Sequence, residues 1–171
     1  MADAFSDALE LTLRFEGGYS NVEGDRGGAT NYGITQKVFD HYRLGLNLST
    51  VDVRAITMDE VAAIYKMWYW NPAHADALTP SLAKVHFDSA VNHGVGRAVK
   101  WLQQVVGVTS DGFWGPQTFA AIATADQDSL VPPYLALREV FYHKIVAADA
   151  TQAKFLPQWL KRVEQLREAV S

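Results

Sequence analysis

Apolar residues recur at three- and four-residue spacing along most of this chain, and the stretches that break the rhythm are few. Asp3 to Glu16 reads as one amphipathic helix. With Glu16 at zero and about 100° per residue, Phe5, Leu9, Thr12 and Leu13 fall within about 60° of it, while Asp7, Glu10 and Arg14 point away. Glu16 therefore closes the apolar stripe, and Gly17 or Gly18 is expected to end the helix in a left-handed cap. A helix is expected over Gln36 to Arg43 behind Thr35. Another is expected behind the capping box Thr57-Met58-Asp59-Glu60, with Val61, Ile64, Tyr65 and Trp68 on one face and an end before Asn71-Pro72. The longest periodic run opens at Pro80 and carries Leu82, Val85, His86, Ala90, Val91, Ala98, Trp101, Leu102 and Val105. Gly94 and Gly96 inside it mark a break or a close backbone approach. Helices over Pro116 to Ala123, over Leu130 to Ala148 and from Pro157 onward complete the chain. Seven or eight helices and little else predict an all-α or α+β fold.

The main interruption is Ser20 to Thr35, which has no helical period. Gly24-Asp25 and Gly27-Gly28 are turn material, so a small hairpin or irregular lobe is expected near residues 19–35. A loop this long between two helices calls for a functional reason.

Composition narrows the class. Apolar content of 49% and charged content of 20% over 171 residues exclude disorder and suit one domain, here read as residues 1–171 with halves 1–79 and 80–171. The absence of cysteine removes disulfides, thiolate metal sites and a cysteine nucleophile. A net charge of -4 without a basic stripe argues against nucleic acid as partner. The last third is the most basic part, with Arg138, Lys144, Lys154, Lys161, Arg162 and Arg167 against Glu139, Asp149, Glu164 and Glu168. It reads as a solvated face rather than a membrane device. No apolar run is long enough to span a bilayer, so no stable membrane insertion is expected. The acidic N-terminus does not resemble an export signal.

Candidate chemistry concentrates in the interruption. Glu16 and Asp25 are two carboxylates on either side of a glycine-rich loop, the pairing that glycoside hydrolysis requires. Glu16, on the apolar stripe and near the negative end of a helix, is disfavoured as an anion and suits the proton donor; Asp25, in a polar loop, suits the ionised partner. Thr30 can hold a water through its hydroxyl. Glu23 is a third carboxylate in the same loop. Asn92, in an otherwise apolar helix, needs either a buried partner or a ligand group. Trp68, Tyr69 and Trp70 cannot all face inward, so Trp70 is a candidate sugar-stacking residue, and Tyr32 is another. The pairs His74-Ala75-Asp76 and His86-Phe87-Asp88 come with no further ligand at a fixed spacing, so neither metal nor cofactor is expected.

The run Glu16-Gly17-Gly18-Tyr19, with Asp25-Arg26-Gly27-Gly28-Ala29-Thr30-Asn31-Tyr32-Gly33-Ile34-Thr35 behind it, resembles the signature of the glycoside hydrolase 108 family. These are phage endolysins and related bacterial N-acetylmuramidases of peptidoglycan. The resemblance implies a mainly α, lysozyme-like fold with Glu16 as catalytic acid. The order Glu, Asp, Thr is also similar to the catalytic triad of phage-type lysozymes, which implies roles for Asp25 and Thr30. A second stretch is similar to the family's peptidoglycan-binding segment, read here as part of the same domain at residues 80–124. It runs from Phe87-Asp88-Ser89-Ala90-Val91-Asn92-His93-Gly94 through Leu102-Gln103-Gln104, Asp111-Gly112 and Gly115-Pro116 to Thr118. Phe155 to Arg162 is loosely similar to the family's last helix, with Pro157-Gln158 where a more glycine-like approach to the Trp is usual.

The expectation is thus a muramidase cutting between N-acetylmuramic acid and N-acetylglucosamine, with inversion favoured over retention. Bacterial peptidoglycan is the expected partner and a monomer the expected state. The resemblance also implies synthesis in a host cytoplasm and release to the wall in the periplasm through a holin. A wall-binding protein without catalysis and a lytic transglycosylase are the alternatives.

Overall fold

The computed structural model of the protein describes residues 3–20 and 28–171. Helix α1 (Ala4–Leu13) starts at Asp3, whose carboxylate accepts from the Ser6 amide at 2.7 Å. It stops three residues earlier than its apolar stripe suggests. Phe15 and Glu16 continue as a tightened turn, their amides donating to Thr12 and Leu13 carbonyls. Neither Gly17 nor Gly18 takes the left-handed conformation expected of it.

The chain then forms a minimal hairpin. Strand β1 (Thr30–Asn31) pairs antiparallel with β2 (Ile34–Thr35), and Ser20 bridges to Thr30 on the other side. Tyr32 and Gly33 form the two-residue turn, with φ of 50° and 73°. Positive φ at both positions is the signature of a tight hairpin turn whose twist matches that of the strands. Helix α2 (Gln36–Gly45) follows directly, capped by the Thr35 hydroxyl. Helix α3 (Met58–Tyr65) begins with the expected reciprocal Thr57–Glu60 box and continues into a π-helical turn over Lys66–Trp70.

Helix α4 (Pro80–His93) is the axis of the molecule. Every residue from Val85 to Ala90 is buried, so this helix is covered on all sides, by α1, α5 and α7 among others. Gly94, at φ 84°, breaks the long periodic run, and α5 (Val95–Val106) leaves in a new direction. Helices α6 (Pro116–Thr124), α7 (Val131–Ala148) and α8 (Leu156–Ala169) complete eight α-helices among the described residues. The fold is mainly α, with the small hairpin lobe where it was expected. Buried apolar side chains from Phe5 near the start to Leu166 near the end form the main contiguous cluster, with a small one of Ala73, Ala90 and Ala98 apart from it. None of the helices among the described residues is long and apolar enough to cross a membrane.

One histidine is sealed into this core and another lies half-buried at its edge. His86 is bonded through Nδ1 to the Tyr134 hydroxyl at 3.0 Å and through Nε2 to the Ala73 carbonyl at 3.1 Å. Burial pushes its pKa down to about 4. His93 packs among Trp101, Phe141 and Tyr142, and burial, then the positive charge of Arg138, push it down to about 3. Both are neutral when folded and take up protons on unfolding below about pH 6.5. Stability is therefore full above that pH, falls as pH drops towards 4 for His86, and falls further towards 3 for His93. The expected loss from His86 alone is about 3 kcal/mol. Urea melts at pH 7, 5 and 4 check it, together with an NMR titration in which the His86 ring stays neutral well below pH 6.

Candidate active site

Glu16 stands one turn beyond the end of α1, with its side chain about a quarter exposed. Four parts of the chain meet around it. Its Oε2 faces the hairpin turn, where a methyl group placed on Gly33 would lie 3.0 Å from it and 2.8 Å from the Tyr65 hydroxyl. Tyr65, from the end of α3, donates that hydroxyl to the Tyr32 carbonyl at 2.9 Å, which fixes the turn. Burial, then the nearby Glu16 carboxylate, push the Tyr65 phenol well above its ordinary range, so it stays a protonated donor. The same two causes raise Tyr69. On the other side, Arg162 of α8 brings Nη1 to 3.5 Å from Glu16 Oε1 and lays its guanidinium over the Phe15 ring, 4.5 Å from the centroid.

Arg162 is committed elsewhere. It donates through Nη2 to Asp88 Oδ1 at 2.6 Å, and Arg138 of α7 donates to Asp88 Oδ2 at 2.5 Å. The Asp88 and Arg138 side chains are fully buried. Burial by itself would drive the Asp88 carboxyl up; the two guanidinium groups overcome that and hold it below the usual carboxylate range. The Arg138 Nε bonds the Tyr142 hydroxyl, so the buried guanidinium has further partners. With its carbonyl turned towards the arginines, Asn92 accepts from Arg162 Nη2 at 2.8 Å and from Arg138 Nη2 at 3.2 Å. Glu16 thus lies at the edge of a charge cluster whose strong bonds are made among Asp88, Arg138 and Arg162. Its own contact with Arg162 is long and weak, which leaves the carboxyl able to turn towards a substrate oxygen.

The family model described as "Glycosyl hydrolase 108" matches residues 9–94, and "Predicted Peptidoglycan domain" matches residues 97–164. The chain belongs to the glycosyl hydrolase 108 family. It is a glycoside hydrolase with peptidoglycan as its polymer. Among solved structures, "Structure of Brucella abortus SagA" is similar at 32% identity and a TM-score of 0.77, covering 97% of this chain and 92% of that one. None of the curated proteins matches the sequence.

The two matched segments of the hydrolase meet at the Gly94 break, yet the surroundings of Glu16 draw on both. Asp88 comes from the first and Arg138 and Arg162 from the second. The arginines were expected on a solvated face; Arg138 is instead fully buried and Arg162 largely so. The sequence signal for this was present. Asp88 and Asn92 lie four residues apart, hence on one face of an otherwise apolar helix, and a polar pair so placed demands partners.

The other candidates separate. Thr30 is the clasp of the lobe, exchanging amide–carbonyl bonds with Ser20 at 2.8 and 2.9 Å and so tying the segment after Glu16 to the hairpin. Asp25 and Glu23 lie outside the described residues. Tyr32 is half-buried and lines an apolar groove of about 480 Å³ with Phe5, Leu9, Leu13, Met58 and Ala62. Asn92 is exposed rather than buried, and it lines a cavity between the end of α1 and α8. Trp70 does not fit the expected sugar-stacking role. Its ring is fully buried against Phe5 and Phe87, and its indole nitrogen donates to Asp76 at 2.8 Å. The π-helical turn carries it into the core and leaves Met67 outside. An aromatic surface is found instead on α8, where Trp159 stacks on Tyr142 and Phe155. Sequence periodicity places Trp159 in the apolar pattern of the last helix and gives it no binding role.

His86 and Asp88 are each engaged by core partners and Asp76 by Trp70. Among the described residues no group of three or more His, Asp or Glu side chains is arranged for a metal. In the second segment, Gln103 donates to Asp111, Phe113 and Thr118 and accepts from the Gly112 amide. The Asp111-Gly112 motif is therefore spent on holding its own loop.

Two variants test the geometry. Asp88→Ala leaves Arg138 buried without its counter-charge and is expected to cost about 3–5 kcal/mol in a denaturant melt. Gly33→Ala forces a side chain at positive φ against Tyr65 and Glu16. It is expected to lower wall-degrading activity by roughly a hundredfold, since misplacing a catalytic group by about 1 Å has that effect, while the melting temperature falls only a few degrees.

Proposed function

We propose that the protein is an N-acetylmuramidase that cleaves the β-1,4 bond between N-acetylmuramic acid and N-acetylglucosamine, with Glu16 as general acid. The observation that carries this is the setting of Glu16: a partly exposed carboxyl, cornered by the Tyr32-Gly33 turn and the Tyr65 hydroxyl, whose nearest cation is already claimed by Asp88. Such a carboxyl can carry a proton to a glycosidic oxygen without first breaking a strong ion pair. The fully buried surroundings of Asp88 and Arg138 hold α4, α7 and α8 in place around it.

In the proposed reaction Glu16 protonates the leaving oxygen as the bond to the anomeric carbon lengthens. Asp25, ionised, steadies the developing oxocarbenium charge or takes a proton from the attacking water, and Thr30 positions that water. Tyr32 and Asn92 are proposed to contact the sugar chain, the first through its ring and the second through the amide nitrogen that its arginine bonds leave over. The wider proposal is an endolysin, active as a monomer, made in a host cytoplasm and released to the wall by a holin; it rests on the resemblance of the signature to phage endolysins.

Glu16→Gln preserves the size and bonding of the side chain but removes the acid. It is expected to lower release of new reducing ends from purified sacculi by at least a thousandfold, within the range of a lost acid catalyst combined with a lost charge, while the melting curve stays unchanged. Activity retained in this variant would overturn the assignment. Mass spectrometry of the wild-type digest should show reducing N-acetylmuramic acid ends; 1,6-anhydro ends would identify a lytic transglycosylase instead. Sacculi that are bound but uncut would indicate a wall-binding protein.

A further inference from the structure

A cavity of about 400 Å³ opens between the turn that follows α1 and the exposed face of α8. It adjoins the Glu16 site, because Phe15 and Arg162 line it and also touch or flank Glu16. Its charged lining is of one sign. Arg14, Lys161 and Arg162 contribute cations, and among the described residues no carboxylate lines it. The charges differ in availability. Arg162 is held by Asp88, and Arg14 pairs with Glu10 at 2.7 Å. Lys161 is exposed and has no carboxylate partner among the described residues. Asn92 turns its carbonyl to the arginines, so its amide N–H groups are left for other acceptors. The ring of Trp159 forms part of the wall. Gln158, Gln165 and Tyr142 complete the lining with neutral polar groups. Positive charge without a carboxylate, neutral polar groups and one aromatic face describe a site for an anionic group attached to an apolar body.

We propose that this cavity is an anion subsite for the wall polymer, taking a carboxylate of the muramyl-peptide unit next to the bond cut at Glu16. The inference rests on the muramidase reading of the Glu16 site and adds to it which part of the polymer is recognised. A bare glycan of N-acetylglucosamine has no carboxylate, whereas each muramic acid bears a lactyl group and the peptide stem attached to it. Occupation of the cavity selects for that unit and sets the register of the chain over Glu16. The electrostatic contribution comes mainly from Lys161, with the Asn92 amide supplying directed donors.

The test compares three preparations of sacculi: untreated, carboxyl-amidated with carbodiimide, and stripped of stems by an amidase, which leaves free lactyl carboxylates. Initial rates are measured at limiting wall, with sedimentation binding in parallel. The protein is expected to act about fivefold more slowly on amidated than on untreated wall, the size of a partly exposed charge contact. Lys161→Glu should lose about as much on untreated wall, and the two losses should not add. In untreated wall the lactyl carboxyl is an amide and the free carboxylates are those of the stem. Stripped wall cut like amidated wall therefore places the recognised carboxylate on the stem itself; stripped wall cut like untreated wall shows that the lactyl carboxylate freed by the amidase fills the cavity as well as a stem carboxylate does. Equal rates and equal binding on untreated and amidated wall, or a Lys161→Glu loss that is the same on all three, would overturn the subsite. Failure of the wild-type protein to cut any of them overturns the muramidase reading instead, and binding to untreated against amidated sacculi then still decides the subsite.

Discussion

A carboxylate in the middle of a buried helix must be paired, and that constraint organises this protein. Asp88 lies on α4, covered on every side, and an unpaired charge there would be prohibitively unfavourable. It is satisfied by one guanidinium from α7 and one from α8. Both donors come from far along the chain, so the pairing fixes where two C-terminal helices pack. A hydrophobic substitute could supply the same burial, but not the same directionality.

The candidate active site is a by-product of that pairing. Arg162 reaches Asp88 by passing over Phe15, and this seats α8 beside the turn that carries Glu16. From the opposite side the hairpin closes in, its Tyr32 carbonyl held by Tyr65 and its Gly33 leaving room for the carboxyl. The catalytic candidate is therefore cornered by rigid parts while its own strong bonds are few. That combination suits a proton donor, which must be placed accurately yet remain free to part with its proton.

The same arrangement changes how the two matched segments relate. The second contributes Arg138 and Arg162 to the surroundings of Glu16, and its Asp111-Gly112 motif is absorbed in bonds with Gln103. Its two arginines thus support the surroundings of Glu16, and its Gln103 and Asp111 hold its own loop. The surface it leaves open beside Glu16 belongs to α8, where Trp159 and Lys161 face the cavity.

Local sequence determined a great deal here. The caps at Thr35 and Thr57, the helix starts at Pro80 and Pro116, the break at Gly94 and the hairpin lobe all depend on neighbours within a few residues, and all were legible. The signature around Glu16 was legible too, because a contiguous motif carries its own chemistry. Tertiary structure alone decided the partners of the charges. Periodicity assigns a residue to a face of its helix but not to the element that covers that face. Arg138 and Arg162 therefore read as solvated until α4 was set against them. Trp70 read as available until the π-helical turn carried it inward. A charge or an aromatic ring is placed by what lies across from it, and in this chain that is set by contacts fifty to well over a hundred residues apart.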